Sequence, residues 1–357
     1  MLALRLARGS RPLVQLRRLL VAAAAAGSGF LLLYVLGDAL EGSAGSFPRL
    51  LWALVPLAAT VQLAVAVART DPATRPRGGM DAVGLGPVRR QLVAAVSTAL
   101  SCTLGSALAL AAFLHLRGDL SGLPFDGAGA TLLHAQQPLP VAGVLTLLAV
   151  VPLTASAAVA LALRPHPPRA PQAELPWGIT LTACGLAVEA YAGRGTAGML
   201  AGWSLTAVGL ALAGPGLAYL CGTLVQAVRP GALRLLAGRA LQEEAGRVGR
   251  PLGVLCAVAA GWLAVPALRA GGGAPPPLGP LTVPAAVLVA LCAAATLLTS
   301  AVEARQARSA ARAALLDLGT PGRVLRTAAT LRATALFVVC APLSWAVAQL
   351  TAVALTR

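Results

Sequence analysis

Long apolar runs alternate along this chain with short segments rich in arginine, and the runs have the length of membrane-crossing helices. A helix that crosses the hydrocarbon core of a bilayer needs about 20 mostly apolar residues. Nine runs meet or approach that length, at 19–36, 50–68, 91–114, 139–163, 176–193, 196–220, 251–268, 281–302 and 331–355. Only Gly193, Arg194 and Gly195 separate the fifth run from the sixth. Joined, the two are too long for one helix, so the pattern predicts a tight hairpin. The first run follows a basic stretch, as in a signal peptide, but it continues through Leu31, Leu32, Leu33 and Tyr34. Such a length predicts a retained first span. Pro56, Pro152, Pro215 and Pro342 fall inside runs, where neighbouring helices can satisfy the carbonyls they free. Gly198 and Gly202 form a GxxxG spacing, which predicts close helix packing. The expected fold is therefore all-α, a polytopic transmembrane bundle of about nine spans.

Charge orients the bundle. All 28 basic residues are Arg, and the chain contains no Lys. With the N-terminus in the cytoplasm, 23 of them fall on inside segments; Arg49, Arg117, Arg194, Arg269 and Arg357 are the exceptions. That asymmetry is the positive-inside pattern, and a missed or invented span would destroy it. The segments 69–90, 229–250 and 303–327 are accordingly expected on the cytoplasmic side, where anionic lipids would attract them.

Composition narrows the function. The chain is 57% hydrophobic and 11% charged, whereas a soluble protein is about a quarter charged. Lacking Lys, it can supply neither a Schiff base nor a GxxxxGK[ST] phosphate loop, so it cannot bind ATP in the P-loop manner. The net charge of +16 is spread over short loops with few aromatics, which argues against nucleic acid. Six cysteines lie in separate apolar runs and read as small buried hydrophobes. His115, Asp119, Asp126 and His134 share the longest outside loop, 115–138, and could in principle hold a metal, but they form no HExxH or similar motif. Glu189, four residues from the outer end of the fifth run, is the best candidate for an ion-coupling carboxylate. Its nearness to Arg194 and to the span end predicts instead that it snorkels to the surface.

The two ends of the chain repeat one order of elements. Ala3-Leu4-Arg5-Leu6 recurs as Ala232-Leu233-Arg234-Leu235, each within a basic amphipathic stretch expected to lie along the headgroups before a span. A span, a short outside loop, a second span and a basic loop follow in both. The first basic loop holds Leu85-Gly86-Pro87-Val88-Arg89-Arg90, the second Leu318-Gly319-Thr320-Pro321-Gly322-Arg323. In the second, Arg305, Arg308 and Arg312 lie at helical spacing, so the 281–302 helix is expected to continue with a basic face. Gly319 would stop it, Thr320 would cap the next helix and Pro321 would open it. The chain thus divides into a first repeat, 1–163, a linking hairpin, 164–228, and a second repeat, 229–357.

The segments Asp81-Ala82-Val83-Gly84-Leu85-Gly86-Pro87-Val88-Arg89-Arg90-Gln91-Leu92 and Leu315-Leu316-Asp317-Leu318-Gly319-Thr320-Pro321-Gly322-Arg323-Val324-Leu325 resemble the Leu-Gly segment that enters a span in the FtsX-like permeases of ABC transporters, in their long duplicated form. Leu4-Arg5-Leu6-Ala7-Arg8-Gly9 and Leu236-Ala237-Gly238-Arg239 are similar to the openings of the two halves. The resemblance covers about 1–115 and 229–345. It implies a non-catalytic permease subunit in a bacterial plasma membrane, without cofactor, working with a separate ATPase subunit and pairing with itself or a second permease. Docking to that ATPase would fall on Leu85, Gly86, Arg89, Arg90, Leu318, Gly319, Pro321, Arg323 and Arg326. Two departures stand out: the family's long form has ten spans, and the outside loops at 37–49 and 269–280 are too short for an external domain. The competing expectation is an ion-coupled multi-pass transporter.

Cysteine labelling tests the topology. Cysteines introduced at residue 10 and in 69–90, 229–250 and 303–327 should react from the cytoplasmic side, and those in 120–130 from the outside. Cytoplasmic labelling in 120–130 would overturn the span count.

Overall fold

In a computed structural model, the described residues are 12–40, 46–71, 87–120, 124–133, 135–164, 171–191, 196–227, 231–270, 281–317, 319 and 321–356. They form helices α1 (Pro12–Leu40), α2 (Ser46–Thr70), α3 (Pro87–Arg117), α4 (Val141–Ala162), α5 (Leu175–Tyr191), α6 (Thr196–Ala227), α7 (Ala232–Ala270), α8 (Thr282–Ala307), α9 (Ser309–Asp317) and α10 (Gly322–Thr356). A 3₁₀ turn, Pro171–Glu174, precedes α5, and no strand occurs among the described residues. Eight helices are long and apolar enough to cross a membrane. The remaining expected span, 176–193, is α5, whose 17 residues fall just short of that length.

The outer surface has the composition of a membrane protein. Leu92, Val96, Leu100, Leu104 and Leu108 of α3 follow one another at steps of four, and all are exposed. So are Phe337, Val338 and Trp345 of α10. A soluble protein would present such a continuous apolar row only at an interface. Polar groups turn inward instead: Ser28 of α1 shares a 2.7 Å hydrogen bond with Thr60 of α2, and Ser28 also donates to the carbonyl of Pro56. The chain is a multi-pass helical membrane protein.

The helices group into two compact units. The first, Met1–His166 with Leu278–Cys292, contains α1 to α4 and the beginning of α8. Phe113 of α3 is fully buried there with Leu33, Val144 and Leu148. Its ring meets Phe30 edge-on at 5.6 Å between centroids, an arrangement that favours aromatic pairs. Gly105 brings α3 against the Ala22 carbonyl and Ala25 of α1, with no room for a Cβ.

The second unit, Pro167–Pro277 with Ala293–Arg357, is built around α6. Gly178, Thr182, Gly185 and Glu189 of α5 face Ala213, Gly209, Thr206 and Gly202 of α6, an antiparallel register kept along the whole hairpin. The opposite side of α6 meets α7 in the same manner: Gly214 lies on Gly249, and Gly222 on Gly238. The hairpin predicted from Gly193-Arg194-Gly195 is thus present, although those three residues lie outside the described ones.

Three local expectations need correction. The basic stretch at 232–250 is not set apart from the span that follows it. It is the first half of α7, continuous with the apolar half through Pro251, because Gly238 packs against the Gly222 carbonyl of α6. Its counterpart at residues 1–11 lies outside the described residues. Next, the helix after 302 extends only to Ala307; the chain turns at Arg308 and restarts as α9. Finally, Asp38, expected outside the first span, is in α1 and buried.

These close approaches set a mutational contrast. A Cβ at Gly185 would lie 2.6 Å from the backbone nitrogen of Thr206, whereas one at Gly261 meets nothing within 4 Å. Gly185→Leu should therefore destabilise the protein in detergent by about 1–3 kcal/mol, the usual cost of overpacking. Gly261→Leu should leave the thermal unfolding midpoint unchanged.

Candidate functional site

The sequence placed the site at two segments preceding α3 and α10. Pro87 is the first residue of α3, where its missing N–H is no loss. Arg89 and Arg90 follow in the same turn, and the Arg89 side chain is exposed. Leu85 and Gly86, and the Arg90 side chain, lie outside the described residues. The second segment is clearer. Gly319 has φ +85, in the left-handed region that favours glycine, and its N–H donates to the Leu316 carbonyl at 2.9 Å. That bond closes the end of α9. Pro321 stands just before α10, in the cap position and not the first helical one as expected, and its carbonyl accepts from the Val324 N–H at 3.0 Å. Pro321, Gly322, Arg323 and Arg326 are exposed, while Leu318 and Thr320 lie outside the described residues. Arg323 and Arg326, three residues apart, form one cationic edge at the start of the helix.

Sequence reasoning missed what holds this segment. Glu244, on the first half of α7, forms ion pairs with Arg308, between α8 and α9, and with Arg332 of α10 at 3.5 Å. All three side chains are largely buried, Glu244 being 16% exposed. Burial and the nearby Arg332 charge pull Arg308 below the ordinary guanidinium range, with Glu243 opposing them. A single carboxylate therefore ties both flanks of the α9–α10 segment to α7. Alongside, Arg247 of α7 lies 4.0 Å from Glu303 of α8, and Arg250 donates to Glu174 at 2.6 Å. Counting arginines as topology signals hid this cluster. The only sequence signal was the Glu243-Glu244 pair set among Arg residues.

The first unit has a related pair: Arg18 of α1 donates to Asp71, just beyond α2, at 2.9 Å. Arg18 and Asp71 are 229 and 232 residues ahead of Arg247 and Glu303.

Glu189 is not where snorkelling would put it. Its side chain is buried, with 1% exposure. Thr206 of α6 donates to Oε1 at 3.3 Å, Thr351 of α10 lies beside the carboxyl, and among the described residues Oε2 has no hydrogen-bond partner. Gly202 makes this possible, since a Cβ there would stand 2.5 Å from Glu189 Cγ. Arg194 lies outside the described residues. A carboxylate ionised at the centre of a membrane helix costs about 2.5–3.5 kcal/mol on an insertion scale.

The loop between α3 and α4 does structural work. Arg117, buried at the end of α3, donates to the carbonyls of Ala135 and Gln137 and pairs with Asp119. His115 contacts Asp126 at 4.0 Å and the Pro124 carbonyl at 3.1 Å. His134 lies outside the described residues, and among those described no group of three potential metal ligands occurs. The cysteines are all free, and only Cys184 is exposed. Cys256 of α7 and Cys340 of α10, far apart in sequence, are hydrogen-bond neighbours beside a small apolar cavity.

No family model, curated protein or solved structure matches this chain.

The Glu244 cluster should be felt on removal of its carboxylate. Glu244→Ala leaves two partly buried guanidiniums without their shared carboxylate, each still donating to a backbone carbonyl of its own helix turn, and should cost about 1–3 kcal/mol, the range for losing a charged hydrogen bond. Denaturation in detergent would read this, and Glu244→Ala combined with Arg308→Met should recover part of the loss.

Proposed function

We propose that this protein is the non-catalytic membrane subunit of an ABC-type exporter or mechanotransmission complex, a permease of the FtsX-like kind driven by a separate ATPase. One observation carries the reading: α9, the left-handed Gly319 and α10 present Arg323 and Arg326 outward while Arg308 and Arg332 are tied to Glu244. The arrangement suits a segment that is pushed. A partner bearing on the Gly319 corner would move α10 directly and α7 through Glu244. The absence of Lys supports the assignment of ATP chemistry to another chain. The paired ions Arg18–Asp71 and Arg247–Glu303 support duplication of the element order, with a second docking segment at Leu85, Gly86, Arg89 and Arg90. On this reading the docking segments face the cytoplasm beneath a bacterial plasma membrane. The subunit pairs with itself or with a second permease, and its arginines also contact anionic lipids.

The buried Glu189 favours a second reading, an ion-coupled transporter, because it supplies a carboxylate inside the bundle. Asp38 is a further buried acid, and it is engaged by a partner.

Co-purification separates the two. Leu85→Asp and Leu318→Asp together should release a co-expressed ATPase and leave membrane insertion intact. Arg89→Ala with Arg90→Ala should act more weakly and depend on salt, since exposed charges are screened within about 8 Å at physiological ionic strength. Unaltered co-purification after both leucine changes would remove the docking assignment.

A further inference from the structure

Glu189 occupies a slot made for it. Three helices converge on its carboxyl: α5 carries it, α6 supplies Gly202 and Thr206, and α10 supplies Thr351. The residues lie within one to three turns of the ends of their helices, Tyr191 for α5, Thr196 for α6 and Thr356 for α10. Removing the side chain of residue 202 lets the two backbones close over the glutamate stem, so the group is enclosed by construction and not trapped by chance.

Among the described residues the surroundings offer no counter-charge; Arg194, between α5 and α6, and Arg357, after α10, lie outside them. Helix α6 contains no charged residue, Glu189 is the only one in α5, and the charged residues of α10 are Arg323, Arg326 and Arg332, at its opposite end. The other titratable groups of α5 and α6 are Cys184 and Tyr191, both exposed, with Tyr219 and Cys221 further along α6. Helix α7, which packs on α6, carries Arg269 in its last turn, and the side chain of Arg269 lies outside the described residues. Among the described residues, two threonine hydroxyls and the two carboxyl oxygens are too few to enclose a metal cation, which takes six or more in the hard-cation sites of proteins. They suffice for the smallest ligand, a proton.

We propose that Glu189 is a proton-binding site whose occupancy is linked to the packing of α5 against α6 and α10. In the closed arrangement the carboxyl holds one proton and is neutral. When the helices part and water reaches the slot, the O–H bond breaks, the proton passes to water and the carboxylate remains. Closure takes one proton back. The site requires neither of the two readings above to be correct, and it adds to each a proton-sensitive step inside the second unit.

Infrared spectroscopy of the full chain in phosphatidylcholine vesicles at neutral pH tests this, because carboxylates that face water are then ionised. The wild type should show the carbonyl band of a protonated carboxyl. Glu189→Gln should remove it, Thr206→Val should shift it, and Asp38→Asn should leave it. If Glu189→Gln does not accumulate, persistence of the band in Asp38→Asn carries the assignment. Absence of the band from the wild type, or its loss in Asp38→Asn alone, overturns the proposal. Enclosure has its own readout: a water-soluble carbodiimide should modify Glu189 about tenfold less than the exposed Asp317, as expected for a buried group. Equal modification would mean a carboxyl open to water and would likewise overturn it.

Discussion

Everything in the second unit depends on how closely α6 approaches its two neighbours. Lipid gives helices no hydrophobic reason to associate, since the tails are as apolar as leucine, so packing and polar contacts must supply it. Here α6 presents small residues on both sides. Gly202, Thr206 and Gly209 receive α5, and Gly214 and Gly222 receive α7. Backbone meets backbone along both seams, and each dispersion contact is short. The position of Glu189, the continuity of α7 and the placement of Glu244 on it follow from those two seams.

The two units solve the same problem differently. The first relies on bulk, with Phe113 and Phe30 filling the space among α1, α3 and α4, and on a serine–threonine bridge between α1 and α2. The second places glycines at its central seams, with Gln226 and Gln242 lying against Gly238 and Gly222. Helix α8 is divided between them, its residues through Cys292 in the first unit and those from Ala293 in the second. Side chains hold it: Leu288 rests on Gly27 in one unit, and Glu303 faces Arg247 in the other.

The spans were legible in the sequence because length and apolarity are one-dimensional quantities. The hairpin at 193–195 was legible for the same reason. What could not be read were facts of rotation and convergence. The distance of Glu189 from the end of its run gives depth but not facing. Its membership of the stripe Gly178, Thr182, Gly185 and Glu189 did carry the facing, because residues four, three and four apart share one side of a helix. The stretch at 232–250 is amphipathic enough to suggest a headgroup position, and its glycine contact with α6 is a tertiary fact that accompanies its continuity with the rest of α7. Glu244 acquires meaning where three helices meet, and no spacing rule links residues 244, 308 and 332. The break at Gly319 was legible, since glycine followed by proline is a local signal.

Helix α7 has 39 residues, which gives it a length of about 58 Å at 1.5 Å per residue. The hydrocarbon core it would cross is about 30 Å thick. Nearly half of it must then stand clear of the bilayer, and Glu244, 26 residues before the far end at Ala270, belongs to that half. The geometry is that of a rigid oar through a rowlock. A tilt of the whole helix by about ten degrees about the middle of the core, roughly 24 Å from Glu244, swings the glutamate by about 4 Å, a little under the pitch of one helical turn. Force applied at the ion cluster would arrive in the lipid as rotation, with no new contact needed along the way.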